Sequence, residues 1–105
     1  MPPTDIALQR VILTAYRFLS GMTPATAAAN LVEVGRAQGF TTRATTLSGA
    51  DLQRWATTSR PPRWAAYAAA LWLQDNAKVT EPTQQAAMAQ LLQQVEEYRQ
   101  AHHHV

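Results

Sequence analysis

The chain has 105 residues, enough for one hydrophobic core but too few for two independent ones, so we predict a single domain over residues 1–105. Its composition is 47% hydrophobic and weighted towards alanine, with only 4 glycines, and this favours an all-α fold over β-structure. The net charge is +2 and cysteine is absent, which excludes disulfide frameworks and thiolate metal sites.

The sequence also bears on the compartment in which the protein acts. The first residues, Met-Pro-Pro-Thr-Asp-Ile, lack the basic and apolar regions of a signal peptide. No run of about 18 apolar residues occurs in the sequence. We therefore expect a cytoplasmic protein with no membrane partner.

Two helices are predicted in the first 40 residues. The first covers residues 4–20, and its apolar side chains lie on more than one side, so we expect it to be central to the core. The second covers residues 23–39, with Pro24 in the first helical position and Gly39 at the end. Residues 40–47 concentrate strand-forming residues and predict a short extended segment or an ordered loop.

The third helix, predicted over residues 48–58, has the best-defined start. Ser48 and Asp51 have the spacing of a capping box, in which each side chain bonds the backbone N–H of the other residue. Leu47 and Leu52 occupy the positions of a hydrophobic staple. Asp51 is therefore explained as a capping carboxylate rather than a catalytic one.

Two further helices follow a pair of prolines, Pro61 and Pro62, which end the third helix. The fourth extends to about Asp75, and its predicted buried stripe consists of Trp64, Tyr67, Ala68, Leu71 and Trp72. The fifth covers residues 82–102, with a stripe made of Met88, Leu91, Leu92, Val95 and Tyr98. The spacing of this last stripe suits either the chain's own core or pairing with the same helix of a second chain.

The aromatic and histidine residues do not indicate a catalytic or metal site. We interpret Trp55, Trp64 and Trp72 as core residues rather than a base-stacking platform. The histidines at 102–104 are consecutive and converge poorly on one ion, so we expect no metal and no cofactor. Because no Ser-His-Asp set, glycine-rich phosphate loop or metalloprotease spacing occurs, we do not expect an enzyme.

Positive charge is concentrated in one part of the sequence. Residues 41–64 contain four arginines and one aspartate, a local charge of +3, whereas residues 65–105 carry −2. The four arginines are Arg43, Arg54, Arg60 and Arg63. A local excess of this kind is the electrostatic footprint expected of a small nucleic-acid-binding module.

The same region carries a recognisable pattern. Residues 48–55 read Ser-x-x-x-Leu-x-x-Trp, and a short polar turn with Arg60 and Pro62 is followed by an aliphatic helix. Over residues 47–72 this resembles the recognition helix, turn and packing helix of Cro/repressor-type (XRE-like) helix-turn-helix domains. The sequence departs from that family in the longer connection at 39–47 and in the absence of the usual glycine after the tryptophan.

The resemblance implies which residues contact DNA. Gln53, Arg54 and Thr57 would face the major groove, where glutamine can pair with adenine, arginine with guanine, and the threonine methyl group with thymine. Small residues such as Gly49 would let the helix N-terminus approach a phosphate. The implied DNA-binding residues are Ser48, Gln53, Arg54, Thr57, Arg60, Arg63 and Arg43.

These observations predict a transcriptional regulator that binds double-stranded DNA in a sequence-specific manner. We expect a homodimer held partly by the last helix, because two recognition helices must reach half-sites about 34 Å apart. The alternative that the residues leave open is a small all-helical protein-interaction module without nucleic-acid binding, such as a phage or plasmid accessory factor. In that case a partner chain would bind to the last helix or to the tryptophan-containing turn between the third and fourth helices.

Overall fold

In this computed structural model, residues 5–41, 46–57 and 60–101 are described, with the backbone alone at residues 5, 56 and 57. These ranges contain five helices and no strand, which confirms the predicted all-α class. The helices are α1 (Asp5–Ser20), α2 (Pro24–Ala37), α3 (Gly49–Thr57), α4 (Arg63–Asn76) and α5 (Pro82–Ala101). None of these helices is both long enough and apolar enough to cross a membrane.

The end of α2 is fixed by Gly39, as the sequence predicts. Gly39 has a φ of +76°, a left-handed conformation that glycine adopts without a side-chain clash. Its N–H donates to the Arg36 carbonyl at 3.1 Å, and the N–H of Phe40 donates to the Gly35 carbonyl at 2.8 Å. This pair of bonds is a Schellman motif, which satisfies the last carbonyls of the helix.

The start of α5 is capped by a carboxylate that the sequence analysis did not identify. Glu81 precedes Pro82, and its two oxygens accept hydrogen bonds from the N–H groups of Thr83 (3.0 Å) and Gln84 (2.9 Å). These two backbone bonds hold the pKa of the Glu81 carboxyl below its usual value. The side chain is therefore a fixed negative charge at the positive end of the helix dipole.

A single hydrophobic core joins all five helices, and α4 is its most enclosed element. Five alanines of α4 are fully buried, at positions 65, 66, 68, 69 and 70, and they cover more than half of the helix circumference. The predicted stripe is therefore only part of the buried surface, because Tyr67 and Ala68 are buried while Trp64, Leu71 and Trp72 are half-buried. Short side chains let α1, α2 and α5 all pack closely against this one helix.

The first helix contacts each of the other four, which confirms its predicted central position. Tyr16 is the main polar link between α1 and α2. Its hydroxyl donates to the Ala27 carbonyl at 2.9 Å and accepts from the Asn30 side-chain amide at 2.8 Å. Its ring meets Trp72 edge to face, with ring centres 5.3 Å apart. Burial raises the pKa of the Tyr16 hydroxyl above its usual value.

The stripe on α5 packs into the chain's own core. Met88, Leu91 and Val95 are buried, and Leu92 and Tyr98 are half-buried against the same cluster. The sequence left two roles open for this stripe, packing in the chain's own core or pairing with a second chain, and the structure shows the first. The apolar side of α5 is not available as a pairing surface in this fold.

Candidate nucleic-acid interface

The third helix presents one side to the core and the other to solvent. Leu52 is fully buried, and Trp55 is half-buried against the core. Gln53 and Arg54 are exposed, next to one another on the opposite side. The helical period places positions 50, 53, 54 and 57 on one face. Two of the three side chains that the resemblance assigns to base contacts, Gln53 and Arg54, therefore lie on the solvent face of a short anchored helix.

The predicted capping box is present at the start of α3. The N–H of Asp51 donates to the Ser48 hydroxyl oxygen at 3.1 Å, and the N–H of Ser48 donates to a carboxylate oxygen of Asp51 at 3.3 Å. Hydrogen bonds from the Ser48 side chain and backbone, with the charge of Arg54, hold the pKa of the Asp51 carboxyl below its usual value. The structure thus confirms Asp51 as a capping carboxylate.

Arg54 is ion-paired with Asp51 one turn earlier on the helix. The Arg54 side chain is 60% exposed, and such surface pairs contribute only about 0.2–1 kcal/mol. The pair orients the guanidinium along the start of α3 without fixing it strongly. Because the exposed pair is weak, another acceptor, such as a phosphate or a base edge, can replace the carboxylate.

Gly49 has a different role from the one that the resemblance implies. A Cβ atom at this position would lie 2.9 Å from the Pro24 carbonyl carbon and 2.9 Å from the Ala25 nitrogen. The missing side chain therefore lets the start of α3 pack against the start of α2, and it does not serve an approach to a phosphate. Because Thr23 caps α2, accepting from the N–H of Thr26 at 3.3 Å, two capped helix starts lie side by side.

The tryptophans are packing residues, as predicted. Trp55 and Trp64 meet edge to face with ring centres 6.1 Å apart, which joins the second half of α3 to the first turn of α4. The Trp64 ring also lies over Gly35 of α2, where an added Cβ would come within 3.0 Å of the ring. Sequence reasoning missed Gly35, although a glycine inside a predicted helix is a usable signal of close packing.

Two of the remaining predicted arginines, Arg60 and Arg63, lie outside α3 in the sequence order of the elements. Arg60 is exposed in the connection between α3 and α4. Arg63, the first residue of α4, is exposed and lines an open groove of about 450 Å³ between α4 and α5. The other lining residues of this groove are Tyr67, Gln94, Glu97, Tyr98 and Ala101. Arg43 and the side chain of Thr57 lie outside the described residues.

The connection between α2 and α3 differs from that of a compact helix-turn-helix. It runs from residue 38 to residue 48, whereas the motif joins its helices by three or four residues. The start of α3 consequently lies at the start of α2, as the contact of Gly49 with Pro24 and Ala25 shows. This is the lengthened connection that the sequence indicates.

The fold and this surface define a small five-helix domain, over the described residues, with a capped polar helix on its surface. Within that described part, no group of three or more histidine, aspartate or glutamate side chains is placed to hold a metal ion. Comparisons with protein-family models, with curated proteins and with solved structures gave no significant match.

Proposed function

We propose that this chain is a DNA-binding transcriptional regulator that inserts α3 into the major groove of double-stranded DNA. One observation carries the proposal. Gln53 and Arg54 stand exposed side by side on α3, while Leu52 and Trp55 hold the other side of the same helix against the core. A rigidly seated helix with a polar outer face is the element that major-groove readers use.

The two side chains have the chemistry for reading base edges. A glutamine amide can donate to and accept from adenine N6 and N7, and an arginine can donate twice to guanine O6 and N7. In this proposal the guanidinium of Arg54 exchanges its contact with Asp51 for a base. Each such pair contributes about 1–3 kcal/mol of discrimination against a wrong base.

Phosphate contacts would position the helix. Ser48 is exposed at the start of α3, and the proposal assigns its hydroxyl group a phosphate contact. Arg60 is exposed beyond the end of α3 and would contact a second phosphate. The proposal assigns further contacts to Arg43, Thr57 and Arg63, on the basis of the resemblance.

The proposed functional unit is a homodimer. Two copies would present two α3 helices to half-sites one helical turn of DNA apart, about 34 Å. Because the apolar stripe of α5 is occupied by the chain's own core, the pairing surface must lie elsewhere on the molecule.

The proposal is tested by fluorescence anisotropy with labelled random-sequence duplex DNA at two salt concentrations. We expect a dissociation constant in the range of about 10⁻⁴–10⁻⁶ M near physiological salt, and tighter binding as salt is lowered. Arg54→Ala and Arg60→Ala should each weaken binding, and Arg60→Ala, which removes a proposed phosphate contact, should also lower the salt slope by about one. Lys78→Ala is the matched control, because it removes an exposed positive charge from the connection between α4 and α5.

Two results would contradict the proposal. Absence of binding by the unmodified chain at low salt would remove DNA as the partner and favour the protein-interaction module. Equal losses in Lys78→Ala and Arg54→Ala would show that the interaction is not centred on α3.

Sequence preference is tested by selecting bound duplexes from a random pool. We expect Gln53→Ala to relax the preference at a base pair that the unmodified chain specifies.

A further inference from the structure

The two carboxylate oxygens of Asp51 make different contacts. Oδ2 accepts from the Ser48 N–H at 3.3 Å in the capping box, and Oδ1 is ion-paired with Arg54. The side chains of Asp51 and Arg54 are 37% and 60% exposed. Because the box and the ion pair use separate oxygens, Arg54 can leave Asp51 without disturbing the cap. Asp51 then presents a fixed carboxylate with one oxygen available to accept a hydrogen bond.

A ligand that separates this ion pair must satisfy both of its members. A DNA phosphate group offers acceptors only, so it can bind the guanidinium but repels the carboxylate that is left behind. Replacing one anion by another at the surface therefore gives Arg54 no net gain. Base edges in the major groove offer both kinds of group, because guanine accepts at O6 and N7 while cytosine and adenine donate from their N4 and N6 amino groups.

We propose that Asp51 and Arg54 read DNA together, with Arg54 donating to a guanine and Asp51 accepting from the amino group of a cytosine or adenine beside it. Asp51 is then a base-contacting residue as well as a helix cap. The inference rests on the proposed insertion of α3 into the major groove. It adds to that site a residue that the resemblance does not assign to DNA.

The spacing on α3 fits such a joint contact. Residues three apart on a helix are neighbours, with Cβ atoms about 5–6 Å apart, and successive base pairs are about 3.4 Å apart along the DNA axis. The two side chains therefore reach one base pair or two adjacent ones. The hydrogen bonds from Ser48 that hold the pKa of the Asp51 carboxyl below its usual value keep it ionised at neutral pH, as an acceptor must be here.

The first test measures the salt dependence of binding to labelled random-sequence duplex DNA. Asp51→Asn keeps a side-chain oxygen for the Ser48 N–H but removes the charge that holds Arg54. The released guanidinium should contact a phosphate, so we expect the slope of log K against log salt to steepen by about 0.9. In an Arg54→Gln background, Asp51→Asn should leave the slope unchanged, because no cation is released.

Glu96→Gln is the matched control for the change in net charge. It removes one negative charge at an exposed position of α5, a helix that makes no contact with α3 in the described part of the chain. We expect its salt slope to equal that of the unmodified chain. Circular dichroism checks that each variant is folded.

The second test selects bound duplexes from a random pool. The unmodified chain should enrich a guanine beside a cytosine or adenine amino group, with about 5–150-fold discrimination at the amino-bearing position. Asp51→Asn should keep the guanine and shift the neighbouring preference to adenine, because an amide pairs with adenine N6 and N7. Arg54→Gln, which leaves the capping box intact, should lose the guanine and keep the amino-bearing base.

The outcomes separate this inference from the proposed function. If neither the unmodified chain nor any variant binds duplex DNA at low salt, both are wrong. If the chain selects a motif but Asp51→Asn changes neither the salt slope nor a selected base, the joint reading by Asp51 and Arg54 is wrong and the proposed function stands. An equal steepening of the slope in Glu96→Gln, or in the Arg54→Gln background, would also overturn the inference, since Asp51 would then act through its charge alone.

Discussion

The hydroxyl of Tyr16 is the most consequential single polar group in the described core. It has one donor and two acceptor positions, and the structure uses the donor on the Ala27 carbonyl and an acceptor position on the Asn30 amide. Both contacts cross from α1 to α2, two helices that otherwise share little surface. The position of α2 therefore depends in part on this hydroxyl group. The start of α3 packs against the start of α2, so its position depends on the same group.

Tyr16→Phe keeps the ring and removes only the hydroxyl. We expect a loss of about 1–3 kcal/mol in the free energy of unfolding, because the Ala27 carbonyl and the Asn30 amide each lose a hydrogen bond at a largely buried site. Urea unfolding at neutral pH measures this. Tyr98→Phe is the control, since its hydroxyl donates to the Gly39 carbonyl at 3.4 Å at an exposed site. Equal losses in the two variants would contradict the central role of Tyr16.

The same hydroxyl predicts a dependence on pH. Its pKa is raised in the folded state, so its contribution to stability is complete below the ordinary tyrosine value of about 10. That contribution is lost as pH rises through the raised folded-state pKa. The alkaline fall in stability should therefore be smaller in Tyr16→Phe than in the unmodified chain.

At the scale of elements, the sequence predicts what lies within a helix better than what lies between helices. The capping box of Ser48 and Asp51 could be recognised because its two partners are three residues apart. The resemblance implied that Gln53 and Arg54 face outward and that Leu52 faces the core, and the structure shows Leu52 buried and the other two exposed. These features required no knowledge of how the helices are arranged.

The two glycines that set distances between helices were not interpreted correctly from sequence. Gly49 meets the start of α2, which lies 24 residues earlier in the chain, and Gly35 meets Trp64, which lies 29 residues later. Periodicity contains no information about such partners. The local charge of +3 likewise gave no indication that Arg63 lines a groove beside α5.

Gly49→Ala distinguishes helix propensity from packing. Propensity alone predicts a gain of up to about 1 kcal/mol, because alanine is the better helix former. The structure predicts a loss of about 1–3 kcal/mol, since the new Cβ would lie 2.9 Å from α2 backbone atoms. Denaturant unfolding measures the sign. The companion variant Ala50→Gly, on the exposed side of α3, should lose stability through propensity alone. A stabilised Gly49→Ala would mean that the two helix starts do not pack as described.

At the scale of the whole molecule, the arrangement depends on a central helix made narrow by alanine. In α4, positions 65, 66, 68, 69 and 70 are all alanine and all fully buried, while α1, α2 and α5 approach from different directions. The stripe predicted on α4 follows apolar residues that recur at intervals of three and four, and four of its five members are large. Alanine is a helix former as well as a small core residue, so its enrichment did not by itself indicate that all five of these positions are buried.

An enlarged side chain on α4 should therefore disturb the molecule as a whole. Ala66→Leu adds three carbon atoms at a fully buried position and should lower the free energy of unfolding by about 1–3 kcal/mol. For a domain of this size, each 1 kcal/mol corresponds to about 4–8 °C in Tm. Ala89→Leu, at an exposed position of α5, makes the same chemical change and should leave Tm nearly unchanged. Thermal unfolding followed by circular dichroism compares the two. If Ala89→Leu lowers Tm as much as Ala66→Leu does, the prediction is wrong. The larger side chain itself would then be destabilising, and the close approach of three helices to α4 would not explain the loss.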